Sequence, residues 1–375
     1  MQTERTRLVE AMRAAGADCA VLSSFGDVVY ATGFEVPPPI DAGAAFAYGP
    51  TLAVVRADGH VELLAPSAYT ATAQEMSQAD VTTLVPTFDH FEPLDAEREF
   101  SAAVERAVAA DGVVAVDDAT VPLAVAKVLE GRKLIDARPI VQQARLVKSE
   151  REIELIRRAV AAADEGQSAL LELAQPGANE LDVMGAVMAR VERFAGKIVP
   201  WAGELVTGPR TSVLRYPGGP VDREIGAGDT ALMDLSVRVD GYWADCCNTF
   251  AVGRPPTDEQ LRYFRAARAA FDAAVATLRP GARASDAHAA ATEAFAEHGF
   301  EPAHYTGHQL GTTVNEGPRL VPYDDTPIEA NMVFAVEPGA YAGSGGSTGA
   351  RTEKVVLVTE EGPEVLSRFP WGMDG

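Results

Sequence analysis

Two aspartates lie in a segment whose other residues favour β-strands. The segment spans residues 230–252 and reads TALMDLSVRVDGYWADCCNTFAV. Its Asp240-Gly241 pair is the dipeptide most typical of a two-residue hairpin turn. With that turn, Asp245 lies diagonally across from Asp234 on the same face of the hairpin, within roughly 7 to 8 Å. The sequence therefore predicts a hairpin that brings two carboxylates together.

A buried pair of carboxylates needs a compensating group. Burying the pair without one costs on the order of several kcal/mol, so a raised pKa, a basic partner or a metal ion is expected. The alternative is that one aspartate belongs to a turn and the other to a solvated rim. The same register places Cys247 opposite Asp234 and turns Cys246 to the other face. We therefore expect Cys247 to line the site.

The composition limits the class of protein and its partners. The chain has 375 residues, 47% of them hydrophobic, which can fill the cores of two globular domains. A formal charge of -22 argues against nucleic acid and anionic membranes as partners. The three cysteines include no CxxC pair and argue against a disulfide framework. The sequence has no apolar run of about 18 residues, which argues against secretion and membrane spanning. We expect a cytoplasmic protein.

The chain is predicted to contain two domains of mixed α/β (α+β) structure. An N-terminal domain over residues 1–144 begins with a helix whose apolar face includes Leu8 and Met12, followed by a short buried strand at Cys19 to Leu22. A long amphipathic helical pattern begins near residue 145. This change of pattern marks the start of a second domain over residues 145–375.

The second domain contains a weak internal repeat. The sequence QPGANELDVMGAVMARVERFAG finds an echo in RPGARASDAHAAATEAFAEHGF, which aligns Pro176 with Pro280 and Asp182 with Asp286. We interpret this as a duplication that gives two similar halves with a site between them. The alternative is a coincidence between two helix-start signals.

Four further residues able to act as ligands lie in the second half of this domain. His304 and His308 are in HYTGHQLG, Glu337 ends the apolar strand pattern of MVFAVEPG, and Glu353 begins that of RTEKVVLV. Histidine is the commonest protein metal ligand. Each of these aspartate, histidine and glutamate residues lies within a β-strand pattern. It is improbable that so many possible ligands occur in strands by chance.

These residues resemble the superfamily of creatinase, prolidase, aminopeptidase P and methionine aminopeptidase, which has the pita-bread fold. The resemblance covers the second domain through LMDLSVRVDGYWAD, HYTGHQLG, FAVEPG and RTEKVVLV, and the first domain through VVYATGF. It implies an N-terminal creatinase-like α/β domain, a C-terminal pita-bread domain and, in the prolidase and creatinase branch, a homodimer.

The resemblance also implies two divalent metal ions. Asp245 and Glu353 would bridge both ions, with Asp234 completing one and His308 and Glu337 the other. An oxygen-rich set with one imidazole favours Mn²⁺, with Co²⁺, Fe²⁺ or Zn²⁺ as alternatives. The expected chemistry is hydrolysis of a C–N bond by metal-activated water, with Glu337 moving the proton. The ligands implied by the resemblance are Asp234, Asp245, His308, Glu337 and Glu353.

The chain departs from the family around this centre. Family peptidases carry a histidine upstream of the first metal aspartate, where alignment here gives Pro217 or Arg215. A second family histidine is replaced by Asn315, and the Thr-Arg pair that follows the second aspartate by Cys247-Asn248.

We therefore expect Arg215, Asn315 and Cys247 to bind the substrate and His304 to be a catalytic residue. His304 keeps a position that the proline-specific branch uses near the scissile bond, although a core histidine is the alternative. Arg215 would bind a substrate carboxylate, and Asn315 would donate through its amide.

Three functions fit the sequence. The first is an Xaa-Pro dipeptidase or aminopeptidase P acting on short peptides. The second is a non-peptide C–N hydrolase, as creatinase is, or a lyase on the same metal scaffold. The third is a binding protein on an inactive fold. Because two histidines are absent, we expect weak activity on ordinary Xaa-Pro peptides and a small anionic substrate.

Overall fold

A computed structural model describes residues 2–37, 50–108, 112–117, 119–215 and 218–373 of the chain. The chain divides into two compact units, Met1–Ser149 and Glu150–Gly375. The boundary predicted between residues 144 and 145 lies slightly earlier. Each unit has mixed α/β structure, as the sequence predicted. No helix among the described residues is both long enough and apolar enough to cross a membrane.

The first unit is built around a six-stranded sheet. Its strands are β1 (Cys19–Leu22), β2 (Leu52–Arg56), β3 (Val61–Pro66), β4 (Val81–Val85), β5 (Val113–Val116) and β6 (Lys133–Asp136). Its helices are α1 (Gln2–Ala15), α2 (Phe25–Thr32), α3 (Thr70–Met76), α4 (Ala96–Ala107), α5 (Leu123–Val128) and α6 (Arg138–Arg145). The strand order is β4-β3-β2-β1-β5-β6, with β1 antiparallel to β2 and parallel to β5.

Both faces of this sheet are covered by apolar side chains. One cluster contains Leu8, Met12 and Tyr30, and the other contains Phe100 and Val125. Strand β1 is buried along its whole length, which explains why CAVL is apolar throughout instead of alternating.

The described residues of the second unit form four α-helices and three sheets. The helices are α7 (Glu150–Leu173), α8 (Glu180–Ala195), α9 (Asp258–Thr277) and α10 (Ala284–Glu297). The strands are β7 (Trp201–Thr207), β8 (Thr230–Val239), β9 (Tyr242–Ala251), β10 (Gly307–Gln309), β11 (Glu316–Leu320), β12 (Val333–Val336), β13 (Gly339–Tyr341), β14 (Gly349–Arg351), β15 (Lys354–Thr359) and β16 (Gly362–Val365). The sheets have the orders β7-β8-β9, β11-β10-β12-β15-β16 and β13-β14.

A backbone bridge joins the first two of these sheets. The N–H of Cys247 donates to the carbonyl of Glu353 at 3.2 Å, and the N–H of Glu353 donates to the carbonyl of Cys247 at 3.0 Å. Strand β9 therefore lies beside the start of β15. The strands follow one another in the order β7-β8-β9-β15-β12-β10-β11, and this run carries the candidate site.

The two halves of the second unit repeat one loop. Before α8, the N–H of Gly177 (φ 89°) donates to the carbonyl of Ile225 at 2.9 Å. Before α10, the N–H of Gly281 (φ 91°) donates to the carbonyl of Ile328 at 2.9 Å. Both glycines have a positive φ, which glycine adopts at little cost. The predicted arrangement of two similar halves is confirmed.

Helix α7 packs closely against one face of strands β8 and β9. A Cβ atom at Gly166 would lie 2.4 Å from a methyl carbon of Leu235, so the helix can approach this far only because residue 166 is glycine. The amide nitrogen of Gln167 donates to the carbonyls of Met233 at 3.1 Å and Cys246 at 3.2 Å. We call this side of the hairpin the helix face.

Candidate metal centre

Strands β8 and β9 form the predicted hairpin. Asp240 and Gly241 make its two-residue turn with φ values of 50° and 84°. Two positive φ values are what a type I′ turn requires, and aspartate followed by glycine tolerates them best. Val239 pairs with Tyr242, so the predicted register is confirmed.

This register brings the two aspartates to one face. Asp234 pairs with Cys247, and Asp245 pairs with Ser236, so Asp245 lies diagonally across from Asp234. The hydroxyl of Ser236 donates to Asp245 Oδ1 at 2.8 Å. We call this side of the hairpin, opposite the helix face, the site face.

His308 reaches the aspartates from strand β10. Its Nδ1 lies 2.9 Å from the carbonyl oxygen of Gln309. A carbonyl can only accept, so Nδ1 carries the proton and the lone pair of Nε2 points away from the backbone. Nε2 lies 3.3 Å from Glu337 Oε1 and 3.6 Å from Asp245 Oδ2. His308 is thus held in the tautomer that a metal ligand needs.

The two glutamates come from strand ends. Glu337 directly follows β12, and its N–H donates to the carbonyl of Thr306 at 2.8 Å. Glu353 directly precedes β15 and is 1% exposed. Ligand atoms of Asp245, His308 and Glu353 all lie within 4.8 Å of one another. The structure therefore brings together all five residues that the family resemblance implied as ligands.

Buried oxygens without a hydrogen bond show that the cluster fits metal ions. Among the described residues, Asp234 Oδ1 and Glu353 Oε2 are buried and have no hydrogen-bond partner. Carboxylate oxygens left in this way are ready to bind cations, and an imidazole lone pair adds a borderline donor. This set of donor atoms therefore suits divalent metal ions.

The ionisation of the cluster leads to the same conclusion. Burial and the neighbouring Asp234 raise the pKa of Asp245 well above its usual value. Burial and Asp245 do the same for the pKa of Glu353. Burial lowers the pKa of His308, but its contact with Glu337 outweighs burial and raises the pKa to about 9. The carboxylates lack sufficient positive charge, and bound dications would supply it.

An arginine and a further glutamate complete the site face. Arg351 Nη2 donates to Asp234 Oδ2 at 2.6 Å and to Glu204 Oε1 at 2.7 Å. Glu204 lies on β7 directly opposite Asp234.

Sequence analysis missed both of these residues. Arg351 stands two positions before Glu353, so both side chains lie on one side of an extended segment, which was a usable signal. Glu204 lies in the strand WAGELVT, where an acidic residue among strand formers gives the same signal as Asp234.

His304 is fixed in one tautomer. Its Nδ1 lies 2.8 Å from the carbonyl oxygen of Tyr305, so Nδ1 donates and Nε2 is an acceptor. Nε2 lies 3.4 Å from the hydroxyl of Tyr341, which in turn accepts from Arg351 Nη1 at 3.2 Å. Burial lowers the pKa of His304, which keeps the ring neutral.

The site face opens into a cavity of about 380 Å³. Asn315 lines it, and its side-chain oxygen accepts from Arg319 Nε at 3.1 Å. A neighbouring cavity of about 650 Å³ shares His304 and Tyr305 with the first and includes Arg319. The polar and charged residues that line the first cavity include Glu204, Asp234, Asp245, His304, His308, Asn315, Glu337 and Arg351.

The structure does not place two of the predicted substrate contacts in the cavity. Arg215 is exposed and is not among the residues that line the cavity, whereas its neighbour Leu214 is. Cys247 is 0% exposed and does not line the cavity either, because Val206, Leu232 and Tyr341 pack over its thiol. The alternative alignment position, Pro217, lies outside the described residues.

Comparison with known proteins gives matches over both units. A model of metallopeptidase family M24 matches residues 154–360, and a model of the creatinase/prolidase N-terminal domain matches residues 5–147. A Mycobacterium tuberculosis protein named probable dipeptidase PepE is 33% identical over 240 residues. That match covers 62% of this chain and 62% of the PepE protein. The Xaa-Pro dipeptidase of Pyrococcus furiosus is 30% identical over 243 residues, covering 64% of this chain and 68% of that protein.

Solved structures share the fold over nearly the whole chain. The prolidase from Pyrococcus horikoshii superposes with a TM-score of 0.81 at 22% identity and covers 99% of both chains. Dipeptidase PepE from Mycobacterium ulcerans superposes with a TM-score of 0.78 at 26% identity, covering 98% of this chain and 95% of that chain. The predicted creatinase-like and pita-bread domains are confirmed.

Proposed function

The chain belongs to metallopeptidase family M24, and we propose that its site-face cavity is the active site of a metal-dependent dipeptidase that hydrolyses Xaa-Pro peptides. One observation carries the proposal: four carboxylates and the Nε2 of one imidazole converge in a buried cluster. The names of the relatives, probable dipeptidase and Xaa-Pro dipeptidase, favour peptides over a non-peptide amide.

The five ligands would divide between two metal positions. As the family resemblance implies, Asp245 and Glu353 would contribute to holding both ions. Asp234 would complete one position, and His308 with Glu337 the other. The oxygen-rich set favours Mn²⁺, with Co²⁺, Fe²⁺ and Zn²⁺ as alternatives. When bound, such a pair of ions lowers the pKa of a water molecule and stabilises negative charge on a carbonyl oxygen.

Glu337 is the proposed proton carrier. Burial raises its pKa, but the contact with His308 outweighs burial and lowers it, so the carboxylate is ionised and can accept a proton. It would take the proton from the attacking water and deliver it to the proline nitrogen as the amide bond breaks. His304 would lie near the scissile bond, with Nε2 available as a hydrogen-bond acceptor.

Arg319 replaces Arg215 as the proposed partner of the substrate carboxylate. Its side chain lines the cavity beside the metal centre, and Asn315 holds its Nε. Among the described residues, Arg319 has no ion pair. A guanidinium placed in this way can pair with a terminal carboxylate.

We also propose that the protein is a homodimer and is located in the cytoplasm. The match of residues 5–147 to the creatinase/prolidase N-terminal domain supports a homodimer, which light scattering at micromolar concentration would test. Cys19, Cys246 and Cys247 are unpaired thiols, which suits a reducing cytoplasm.

A panel of substrates tests the function directly. Protein loaded with Mn²⁺ is offered several Xaa-Pro dipeptides and small non-peptide amides such as creatine. We expect hydrolysis of the dipeptides, with Glu337→Gln lowering kcat by about 10² to 10⁴. Glu361→Gln, on an exposed turn, is the matched control and keeps wild-type kcat. Turnover of a non-peptide amide without any dipeptide hydrolysis would overturn the proposal.

A second pair of variants tests the carboxylate contact. Arg319→Ala should raise KM for Xaa-Pro dipeptides by about tenfold or more, because a hydrogen bond to a charged group contributes about 1.5–3 kcal/mol. Arg215→Ala is the matched control and should leave KM unchanged. An effect at Arg215 and none at Arg319 would reverse this assignment.

A further inference from the structure

Glu204 is a buried acid in the active-site cavity to which the proposed mechanism gives no role. It is 4% exposed and lines the same cavity as the proposed metal ligands. Its Oε1 accepts from Arg351 Nη2 at 2.7 Å. Its Oε2 has no hydrogen-bond partner among the described residues. A buried charged oxygen without a partner calls for a ligand that supplies one.

A glycine packs against this oxygen. A Cβ atom added at Gly218 would lie 2.5 Å from Glu204 Oε2. Any larger residue there would crowd the carboxylate. Glu204 therefore places a carboxylate oxygen without a hydrogen-bond partner at the wall of the cavity, against the backbone of Gly218, and we call this part of the wall the anionic subsite.

The charges around Glu204 favour a cationic ligand. Arg351 is the one guanidinium among the described residues that line this cavity. Its Nη2 is shared between Glu204 and Asp234, so two carboxylates surround one positive charge. Arg210 also acts on Glu204 but is itself paired with Glu180, so the negative charge at Glu204 is incompletely balanced. A protonated amine would provide the balance and would donate to Oε2.

The strand order places this subsite on the side where a dipeptide amine belongs. Glu204 lies on β7 at one end of the seven-strand run, and Arg319 lies on β11 at the other end. The proposed metal ligands come from the strands between them. Glu204 is also directly opposite Asp234, so the two side chains start about 4.5–5.5 Å apart. An α-amino group lies only two bonds from the carbonyl carbon that is attacked, so it can reach this wall.

We propose that Glu204 is a specificity residue that binds the protonated α-amino group of the substrate. The proposal rests on the proposed function, because it assumes an Xaa-Pro substrate. It predicts a preference for a free amino terminus. Acylated or longer peptides would lack the cation at this position and would bind less well.

The experiment compares two ligands that differ only in the amine. Leucyl-proline and its deamino counterpart, 4-methylpentanoyl-proline, are assayed with Mn²⁺-loaded wild-type protein and with Glu204→Gln. The glutamine keeps an oxygen for Arg351 but removes the charge. We expect KM for leucyl-proline to rise about ten- to a hundredfold, and KM for the deamino compound to change less than about twofold. Glu301→Gln, in the neighbouring cavity, is the matched control and should not alter the ratio of the two KM values.

A binding measurement separates recognition from turnover. The ketomethylene isostere of leucyl-proline, with and without its amino group, is titrated calorimetrically into both proteins. Preference for the amine should be present in the wild type and lost in Glu204→Gln. Glu204→Asp, which keeps the charge on a shorter side chain, should retain part of it. The aspartate variant also serves if the glutamine variant does not fold.

Failures of the two proposals are distinguishable. Wild-type protein that hydrolyses no Xaa-Pro dipeptide would overturn the proposed function. Hydrolysis with the same amine preference in wild type and Glu204→Gln would overturn the specificity role alone. An equal loss for both ligands would also overturn it, because Glu204 would then act only by holding Arg351.

Discussion

The hairpin β8–β9 has two faces with opposite chemistry. On the helix face, Leu235 and Cys246 are buried against α7. On the site face, Asp234 and Asp245 are held near further carboxylates. The residues alternate along the same two strands, so one register serves both purposes.

The difference shows how stability and function are divided within one element. Apolar burial on the helix face stabilises the hairpin, with about 25 cal/mol for each Å² removed from water. Buried like charges on the site face oppose folding unless cations balance them. The helix face therefore holds the site face in a geometry that it would not adopt alone.

The largest expected effect is loss of activity from a change on the site face. Asp245→Asn should lower kcat/KM for Xaa-Pro dipeptides by at least about a thousandfold, because metal ions contribute several kcal/mol to the transition state. Steady-state assays with added Mn²⁺ measure it. Asp240→Asn, at the turn of the same hairpin, is the matched control and should keep wild-type activity. Comparable activity in the two variants would show that the site face is not catalytic.

The next effect is loss of stability from a change on the helix face. Leu235 is 0% exposed, and Leu235→Ala should lower the free energy of unfolding by about 2–5 kcal/mol through lost burial and a cavity. Metal content should be unchanged. Leu181→Ala, at a position that is 49% exposed, is the control and should cost less than about 0.5 kcal/mol. Urea denaturation compares the two, and equal costs would contradict the division.

A smaller effect has the opposite sign on the site face. In metal-free protein, Asp245→Asn should raise the free energy of unfolding by about 1–2 kcal/mol, because it removes a buried charge beside other carboxylates. With Mn²⁺ present, the wild type should become the more stable protein. Denaturation with and without chelator measures both.

The pH dependence of the metal-free protein follows from the same cause. The folded pKa of Asp245 is raised above its usual 3.8, so its contribution to stability is present at low pH and is lost as pH rises through the folded pKa. The fall of stability with rising pH should be shallower in Asp245→Asn. Identical pH profiles would contradict the repulsion.

The smallest difference is expected between the two adjacent cysteines. The hairpin register alone suggested a reactive Cys247 beside an inert Cys246, but the structure buries both, at 0% and 1% exposed. Burial raises the pKa of each thiol well above its usual value. Both should resist alkylation in the native protein and react at similar rates after unfolding. Mass spectrometry of time points measures this, and rapid native labelling of Cys247 alone would restore the first interpretation.

Local sequence was enough to predict the hairpin. The Asp240-Gly241 turn fixes the register, and the register fixes which side of the strands Asp234 and Asp245 occupy. His308 lies on a strand, and Glu337 and Glu353 lie at strand ends, that are distant from the hairpin in sequence, so the family resemblance was needed to group them. Pairing between distant strands depends on tertiary packing, which a single sequence does not specify.

The surroundings of the site were harder to predict. Arg215 was chosen by alignment to a missing histidine, and whether its side chain points inward depends on the local loop. Glu204 and Arg351 form an ion pair between distant strands, so neither residue suggests the other in the sequence. The assignment of Cys247 used the correct face but could not anticipate that Tyr341 covers its thiol.

Metal content tests the central claim most directly, because the site face is proposed as a centre for two ions. Elemental analysis of wild-type protein and of Asp240→Asn should give about two divalent ions per chain. Asp234→Asn should lose mainly one ion, and Asp245→Asn, which removes a proposed bridge, should lose both. Full metal occupancy in the Asp245→Asn protein would contradict the account.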